Sequence, residues 1–154
     1  MEKKIILLAD DDIDDTEMFF EALTIIDQDI VCHCAVNGNE AISMLNGLES
    51  LPQLIFLDLN MPILSGWECL RTLKEDQRYK TIPIFMMSTS SHQKDIDIAE
   101  KLGALCYFVK PNNFNDLIAI LKEITASIDT NLTEAISNLK ANGFNNIFSC
   151  AEGN

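Results

Sequence analysis

The stretch Leu54-Ile55-Phe56-Leu57-Asp58-Leu59-Asn60-Met61-Pro62 decides the fold of this 154-residue chain. Four apolar residues lead directly into one carboxylate, and the run is too short for a helix, so it predicts a strand buried on both faces. Pro62 disfavours helical structure at Met61 and keeps the strand from continuing. Asp58 is therefore expected at the carboxyl end of a central strand, where open parallel sheets bind ligands. The alternative is an Asp58 that only caps the following turn.

Strands and helices alternate along the chain. Apolar runs predict four further strands, and apolar residues at three- and four-residue spacing predict helices between the strands and after the last one. The expected strands are residues 4–9, 30–36, 82–87 and 104–109, and the expected helices run to about residue 26, over 40–46, 67–76 and 94–102, and from about 113 to 128. This alternation implies an α/β fold with a parallel sheet, helices on both faces and right-handed crossovers.

We expect one domain over residues 1–128 and a short, partly helical extension over residues 129–154, which are too few for a second domain. Asn131 with Glu134 can cap a helix in this extension, and Gly143 can end it. Its apolar stripe also continues the spacing of the preceding helix, so one long helix is an alternative. The stripe either packs against its own domain or forms a dimer contact; its residues are Leu132, Ile136 and Leu139.

The bulk composition excludes several classes of protein. A hydrophobic content of 47% argues against disorder, and the apolar runs are too short to cross a membrane or to act as a signal sequence. The net charge of −13 argues against nucleic-acid binding, because a phosphate polymer would be repelled. The five cysteines contain no Cys-x-x-Cys pair, which indicates reduced packing residues. We expect a cytoplasmic protein whose partners carry cations or basic surfaces.

Chemically active side chains follow or end four of the predicted strands. Asp10 and Asp11 follow the first strand, Asp58 ends the third, Ser88 follows the fourth and Lys110 follows the fifth. Because the carboxyl ends of parallel strands lie at one edge of a sheet, these groups are expected to converge. Two carboxylates about 4 Å apart repel each other by on the order of 4 kcal/mol, and a divalent cation removes that repulsion. Oxygen-only ligands predict a hard cation, Mg²⁺ in particular.

The same groups are the parts that phosphoryl transfer requires. Lys110 supplies a point charge for a phosphoryl group, Ser88 can donate a hydrogen bond to one of its oxygens, and Asp58 can accept the group itself. Positioning and charge neutralisation supply most of the catalysis in such transfers. Phosphorylation of Asp58 would form an acyl phosphate with about one more negative charge than the carboxylate, which makes it a switch.

This set of motifs resembles the receiver domain of bacterial two-component response regulators. The motifs are Asp10-Asp11, Asp58-Leu59-Asn60-Met61-Pro62, Ser88 and Lys110-Pro111, and the resemblance covers about residues 3–128. It implies a flavodoxin-like, doubly wound sheet of five parallel strands in the order 2-1-3-4-5. It also implies a single-domain response regulator of the stand-alone, chemotaxis-regulator-like type. Such a protein accepts a phosphoryl group from a sensor histidine kinase or a histidine phosphotransfer protein and then changes its partner binding.

The resemblance also implies a metal site and a phosphoacceptor. Asp58 is the phosphoacceptor, and it holds Mg²⁺ together with Asp11 and the backbone carbonyl of Asn60, while Asp10 assists through water. The resemblance implies magnesium-dependent self-phosphorylation and self-dephosphorylation but no enzymatic output.

Further residues match the switch of this family. By resemblance, Ser88 and Lys110 contact the phosphoryl group, and Tyr107 is the aromatic residue whose ring reorients with the Ser88 loop. The peptide bond between Lys110 and Pro111 is typically cis in the family, so we expect it to be cis here. One departure is Thr89, where the family often has Ala or Gly, and this bulkier side chain is expected to slow the access of water or of small phosphodonors.

The resemblance to stand-alone receivers predicts signalling by docking on a partner or by passing the phosphoryl group onward. No DNA-binding or enzymatic output domain is expected, and neither nucleic acid nor membrane is an expected partner. The surface of the fourth helix, fifth strand and fifth helix is the usual docking or dimer face. A homodimer through that face or through residues 129–154 is one expected assembly.

Three other functions compete with this one. An aspartate-based phosphohydrolase usually carries a second Asp two residues after its nucleophile as general acid, and here that residue is Asn60. A flavin-binding module of the same sheet order needs a Ser/Thr-rich phosphate loop after the first strand, where this chain has Asp10-Asp11-Asp12. A degenerate receiver that only binds partners would lack Asp58 or Lys110, and both are present.

Overall fold

The computed structural model describes residues 3–150, which form a six-stranded sheet and six helices. The strands are β1 (Ile5–Ala9), β2 (Val31–Ala35), β3 (Leu54–Asp58), β4 (Ile84–Ser88), β5 (Cys106–Val109) and β6 (Ile147–Ser149). The helices are α1 (Ile13–Ile26), α2 (Gly38–Gly47), α3 (Gly66–Glu75), α4 (Gln93–Leu102), α5 (Phe114–Ala126) and α6 (Leu132–Ala141).

The first five strands form the predicted parallel sheet, and their order is β2-β1-β3-β4-β5. The flavodoxin-like fold is therefore confirmed. A sixth strand, β6, runs antiparallel to β5 on its outer side, so the expectation of five strands was one strand short. The ladder between β3 and β4 extends one residue beyond β3, because the Leu59 N–H donates to the Met87 carbonyl at 2.9 Å. This ladder fixes the backbone of Asp58 at the carboxyl end of a central strand.

Each face of the sheet is covered by its own apolar core. Successive residues of β3 point to opposite faces, so Ile55 and Leu57 pack in the core under α2, α3 and α4. Phe56 packs in the core under α1, α5 and α6, where its ring centroid lies 5.0 Å from that of Phe19 and 5.1 Å from that of Phe85. Burial on both faces is the reason that β3 and β4 read as unbroken apolar runs.

Hydrogen bonds at the helix ends decide where the elements begin. In the part of the chain that the structure describes, five helices begin after a side chain that accepts a backbone N–H: Asp12, Asn37, Ser65, Asn113 and Asn131. Because Asn37 is such a cap, α2 begins at Gly38 rather than at Glu40. β4 begins at Ile84 rather than at Ile82, because Pro83 has no N–H to offer the ladder. Among residues 3–150, no helix combines the length and the apolar character needed to span a bilayer.

The C-terminal segment folds back onto the sheet. α5 ends at Ala126, and residues 127–131 turn the chain before α6, so the alternative of one long helix does not hold. The apolar stripe of α6 packs against its own domain, since Ile136 and Leu139 are buried in the core that α1 and α5 cover. The chain then returns as β6, with Ile147 buried in the same core. A strand of three residues has too little periodicity for sequence analysis to detect.

Candidate functional site

The predicted site residues lie at one edge of the sheet, as parallel strands require. Asp10 directly follows β1, and its N–H donates to the Ala35 carbonyl of β2 at 3.0 Å. Asp58 and Ser88 are the last residues of β3 and β4, and Lys110 directly follows β5. Asp10, Asp58 and Ser88 are buried, whereas Lys110 is partly exposed. The sheet therefore brings acids, a hydroxyl and a base to one place.

Lys110 bridges three carboxylates. Its Nζ lies 2.8 Å from Asp10 Oδ2, 2.8 Å from Asp15 Oδ2 and 3.2 Å from Asp58 Oδ1. An ammonium group has three N–H donors, so it can serve all three partners at once. Its side chain is only 16% exposed, so water screens these interactions less than at an open surface.

The carboxylates of Asp10, Asp11 and Asp58 form a group in which one oxygen of each lies within 4.8 Å of the others. Within residues 3–150, this is the one group of three or more His, Cys, Asp or Glu side chains with that geometry. The single positive charge of Lys110 leaves the cluster with excess negative charge and with carboxylate oxygens that it does not occupy. Hard oxygen ligands in this number suit Mg²⁺, which keeps several water ligands. The residues present therefore fit a divalent cation.

Burial and charge shift the acid–base equilibria of the site. Burial raises the pKa of Asp58 to about 6, with the neighbouring Asp10 charge adding to the shift and Lys110 opposing it. Burial likewise raises the pKa of Asp10. Burial alone would lower the pKa of Lys110, but its hydrogen bonds to Asp10 and Asp15 outweigh burial and raise that pKa. Lys110 therefore remains protonated, and Asp58 without a cation ionises only near neutral pH.

A chain of hydrogen bonds leads from Ser88 to Tyr107. The Ser90 N–H donates to Ser88 Oγ at 3.0 Å, and the buried Tyr107 hydroxyl donates to the Ser90 carbonyl at 2.8 Å. The Tyr107 ring also packs on Phe148 of β6, with the ring centroids 6.4 Å apart. Ser88 thus connects the site to Tyr107 and, beyond it, to the C-terminal strand.

The peptide bond between Lys110 and Pro111 is trans, so the expectation of a cis bond was wrong. Trans is the more stable form of such bonds by about 0.5–1 kcal/mol. With the bond in the trans form, Lys110 still makes the contacts that place it in the site. The Lys110 N–H donates to the Ser88 carbonyl at 2.8 Å, and the Lys110 Nζ reaches the carboxylates.

The loop after Asp58 depends on a close approach at Gly66. A Cβ atom at Gly66 would overlap the Asp58 carbonyl and would lie 2.8 Å from Leu59 Cα. The Gly66 N–H also donates to the Leu59 carbonyl at 3.0 Å, and Ser65 forms a capping box with Glu68. Gly66 therefore lets α3 begin directly against the predicted phosphoacceptor, a role that sequence analysis missed.

Asp15 is a second residue of the site that was not predicted from the sequence. Asp12 does cap α1, accepting the Asp15 N–H, but the Asp15 side chain points to Lys110. A signal was present in the sequence: Asp15 stands four residues before Phe19 and eight before Leu23, both buried on the face of α1 toward the sheet. An acid on the apolar stripe of a helix indicates a partner on that side.

Asn60 and Thr89 lie at the surface of the site. Asn60 is exposed. Thr89 is exposed and lines an open groove of about 420 Å³ together with Lys110, Pro111 and Asn146. Thr89 and Lys110 thus line the same groove.

Three exposed apolar side chains follow the carboxyl ends of β1, β2 and β3, at the edge of the sheet that carries the acidic site. Ile13 is 70% exposed at the start of α1, Val36 is 49% exposed after β2, and Ile63 is 76% exposed in the loop after β3. Ile63 also has a φ of 68°, which is unfavourable for a β-branched residue. Exposed apolar side chains therefore lie at the edge of the sheet that also carries the acids, although the chain as a whole is strongly acidic.

Comparison with known proteins gives consistent matches. The family model for the response regulator receiver domain matches residues 6–122. Response regulator Rcp1 of Synechocystis is 30% identical over 128 residues, which cover 79% of this chain and 86% of Rcp1. The CpxR homolog of Haemophilus influenzae, a transcriptional regulatory protein, is 37% identical over 92% of this chain, but the match spans only 59% of that protein.

Two crystal structures extend the comparison to three dimensions. The phosphorylated cyanobacterial phytochrome response regulator RcpA has a TM-score of 0.77 and 32% identity, covering 84% of this chain and 96% of RcpA. The Mn²⁺-bound form of Rcp1 has a TM-score of 0.73 and 29% identity, covering 83% of this chain and 96% of that structure. Sequence family, fold and the convergence of four strand ends agree. The chain therefore belongs to the response regulator receiver domain family.

Proposed function

We propose that Asp58 accepts a phosphoryl group and that the protein signals through this modification. Family membership supports a phosphorylation-dependent response regulator. The observation that carries the assignment to Asp58 is the position of its carboxylate, which lies 3.2 Å from Lys110 Nζ and within the group of carboxylates that fits a cation. A carboxylate oxygen of Asp58 attacks phosphorus of a phosphohistidine, and the P–N bond breaks with its electron pair remaining on the histidine nitrogen.

We infer that Mg²⁺ is held by Asp11, Asp58 and the Asn60 carbonyl, with Asp10 assisting through water. A bound divalent cation would neutralise charge on the phosphoryl oxygens. The spacing of the three carboxylates supports this site, and Rcp1 is known in a Mn²⁺-bound form. Lys110 holds its positive charge beside Asp58, where it would meet the same oxygens.

Ser88 and Tyr107 are our candidates for the switch. A phosphoryl group on Asp58 offers acceptor oxygens to the Ser88 hydroxyl, which now accepts the Ser90 N–H. A change at Ser88 therefore reaches Tyr107 through Ser90, whose carbonyl accepts the tyrosine hydroxyl. This route requires no residue outside β4, β5 and the loop that follows β4.

The phosphodonor is a sensor histidine kinase or a histidine phosphotransfer protein. Docking of such a protein is supported by the exposed apolar side chains of Ile13, Val36 and Ile63, which lie at the edge of the sheet that carries the acidic site. A homodimer through the α4–β5–α5 face or through residues 129–154 stays a proposal. Because β6 already pairs with the outer edge of β5, a dimer on this face would have to include β6 in the contact or displace it.

We expect self-phosphorylation and self-dephosphorylation but no turnover of phosphate esters. Asn60 stands where a phosphohydrolase has its general acid, and an amide cannot donate a proton to a leaving group. We propose residues 1–128 as the receiver domain and residues 129–154 as its extension.

Phosphorylation tests this proposal directly. Incubation of the wild-type protein with Mg²⁺ and acetyl phosphate should incorporate acid-stable but base- and hydroxylamine-labile phosphate, the usual behaviour of an acyl phosphate, and change the fluorescence of Trp67, which follows Gly66. Asp58→Asn should abolish the incorporation, and Lys110→Ala should leave the fold intact but uncouple phosphate incorporation from the fluorescence change. Asp14→Asn removes one exposed acid from the same region and should behave as wild type. Equal incorporation in Asp58→Asn and wild type would refute the assignment.

A further inference from the structure

We propose that Asp15 is a positioning residue that keeps Lys110 in the site when a cation takes the carboxylates of Asp10 and Asp58. This inference rests on the proposed function. It concerns a residue of α1 that lies outside the carboxylate group of the metal site and outside the motifs that matched the family.

Lys110 and a cation would draw on two of the same carboxylates. The Nζ atom lies 2.8 Å from Asp10 and 3.2 Å from Asp58, and both carboxylates belong to the group that fits a divalent cation. An ammonium group and a cation repel each other, so binding of the cation weakens these two contacts of the lysine.

Asp15 is the third partner of Lys110, and it is free of this competition. Its Oδ2 lies 2.8 Å from Nζ, as close as Asp10, but Asp15 is not in the carboxylate group. Its side chain is 38% exposed, whereas that of Asp10 is 2% exposed, so Asp15 approaches the lysine from the solvent side. If a cation takes up the carboxylates of Asp10 and Asp58, Asp15 can keep its ion pair with Lys110 and neutralise the charge of the lysine.

The position of Asp15 on α1 makes it a firm support. Its N–H is held by the Asp12 cap at 3.0 Å, and Phe19 anchors the next turn of the same face in the core. The carboxylate is therefore presented from an ordered helix turn, so only its own side-chain rotamers remain to be fixed when it binds the lysine.

A double-mutant cycle separates this role from a general charge effect. The Mg²⁺ dissociation constant is measured, by calorimetry or Trp67 fluorescence, for wild type, Asp15→Asn, Lys110→Ala and the double variant. We expect Asp15→Asn to weaken Mg²⁺ binding about five-fold in the presence of Lys110, because the lysine then depends on Asp10 and Asp58 alone and opposes the cation more strongly there, and less than about two-fold in its absence. Asp15→Glu should restore most of the affinity, and Asp14→Asn, which removes the same charge from an exposed position, should change it less than about two-fold.

The outcomes distinguish this inference from the proposed function. Equal effects of Asp15→Asn with and without Lys110 would show that only charge matters and would overturn the positioning role. The same holds if Asp14→Asn weakens binding as much as Asp15→Asn does. If the wild-type protein neither binds Mg²⁺ nor incorporates phosphate on Asp58, the proposed function itself fails. Urea denaturation of each variant shows whether an affinity change reflects loss of the fold.

Discussion

Asp58 lowers the stability of the metal-free protein at neutral pH, and removing its charge should therefore stabilise the fold. Burial raises the pKa of Asp58 from its ordinary value of 3.8 to about 6. A group with a raised pKa binds its proton more tightly in the folded state. The protonated Asp58 therefore does not lower stability below its ordinary pKa. As the pH rises through about 6, the folded protein loses stability relative to the unfolded chain, because the buried carboxyl must ionise.

The size of this effect follows from the shift. A difference of about two pKa units corresponds to about 3 kcal/mol, and the attraction of Lys110 is already contained in it. We expect Asp58→Asn to be more stable than wild type above about pH 7. Relative to about pH 3, the difference between the two proteins should grow by about 0.5 kcal/mol near pH 4 and by about 3 kcal/mol near pH 8.

Urea denaturation in the presence of a chelator, measured at several pH values for both proteins, gives this difference directly. The difference in the free energy of unfolding between the two proteins should increase between about pH 4 and pH 7 and stay constant at higher pH. Mg²⁺ should then stabilise the wild type more than the variant. A difference that does not change with pH would refute the reasoning, because it would mean that Asp58 has the same proton affinity in the folded and unfolded chain. Asp14→Asn, at an exposed position, is the matched control.

Four further predictions concern single side chains. Ile63→Asn should raise the free energy of unfolding by about 1 kcal/mol in urea denaturation, because Asn tolerates a positive φ better than a β-branched residue does; an unchanged value would argue against strain at this loop. Gly66→Ala should lower stability by about 1–3 kcal/mol and reduce Mg²⁺ affinity in titrations, because the added methyl group displaces the backbone of Asp58. Ile147→Ala should lower stability by about 2–5 kcal/mol and expose the thiol of Cys150, which is detectable as faster modification by a thiol reagent; equal modification rates would show that β6 stays in place. Near pH 7 the same reagent should modify Cys34 before Cys106, since the neighbouring Cys32 thiol, with its Sγ 3.9 Å from that of Cys34, lowers the pKa of Cys34 to about 7, whereas Cys106 is fully buried. Mass spectrometry of the peptides gives the order of modification.

The architecture and most of the site could be predicted because they depend on strong local signals. The apolar run before Asp58 and the alternation of strands and helices require a buried parallel sheet, and a parallel sheet places its strand ends together. Asp10, Ser88 and Lys110 follow from that geometry without knowledge of any side-chain contact. The family resemblance supplied the strand order, which local pattern does not encode.

Other features were missed because they depend on contacts between distant parts of the chain. Asp15 carries two signals at once, a place in the first turn of a helix and a place on its apolar stripe, but neither identifies its partner Lys110, which lies 95 residues away in the chain. The three residues of β6 carry too little local signal to predict a strand, and the strand forms by pairing with β5. The trans bond before Pro111 departs from an expectation based on the family and follows instead the general preference of X–Pro bonds for trans.

The antiparallel pairing of β6 changes what the protein offers to a second molecule. The Val109 N–H of β5 donates to the backbone carbonyl of Asn146, and the Val109 carbonyl accepts a hydrogen bond from the Asn146 side-chain amide. Both main-chain groups of Val109 are thus already satisfied within the same chain. In the part of the chain that the structure describes, the sheet borders are β2 and β6. A partner strand could therefore be added to this sheet only beside β2 or β6. Pairing with β5 would first require displacement of β6, whose Phe148 packs on Tyr107.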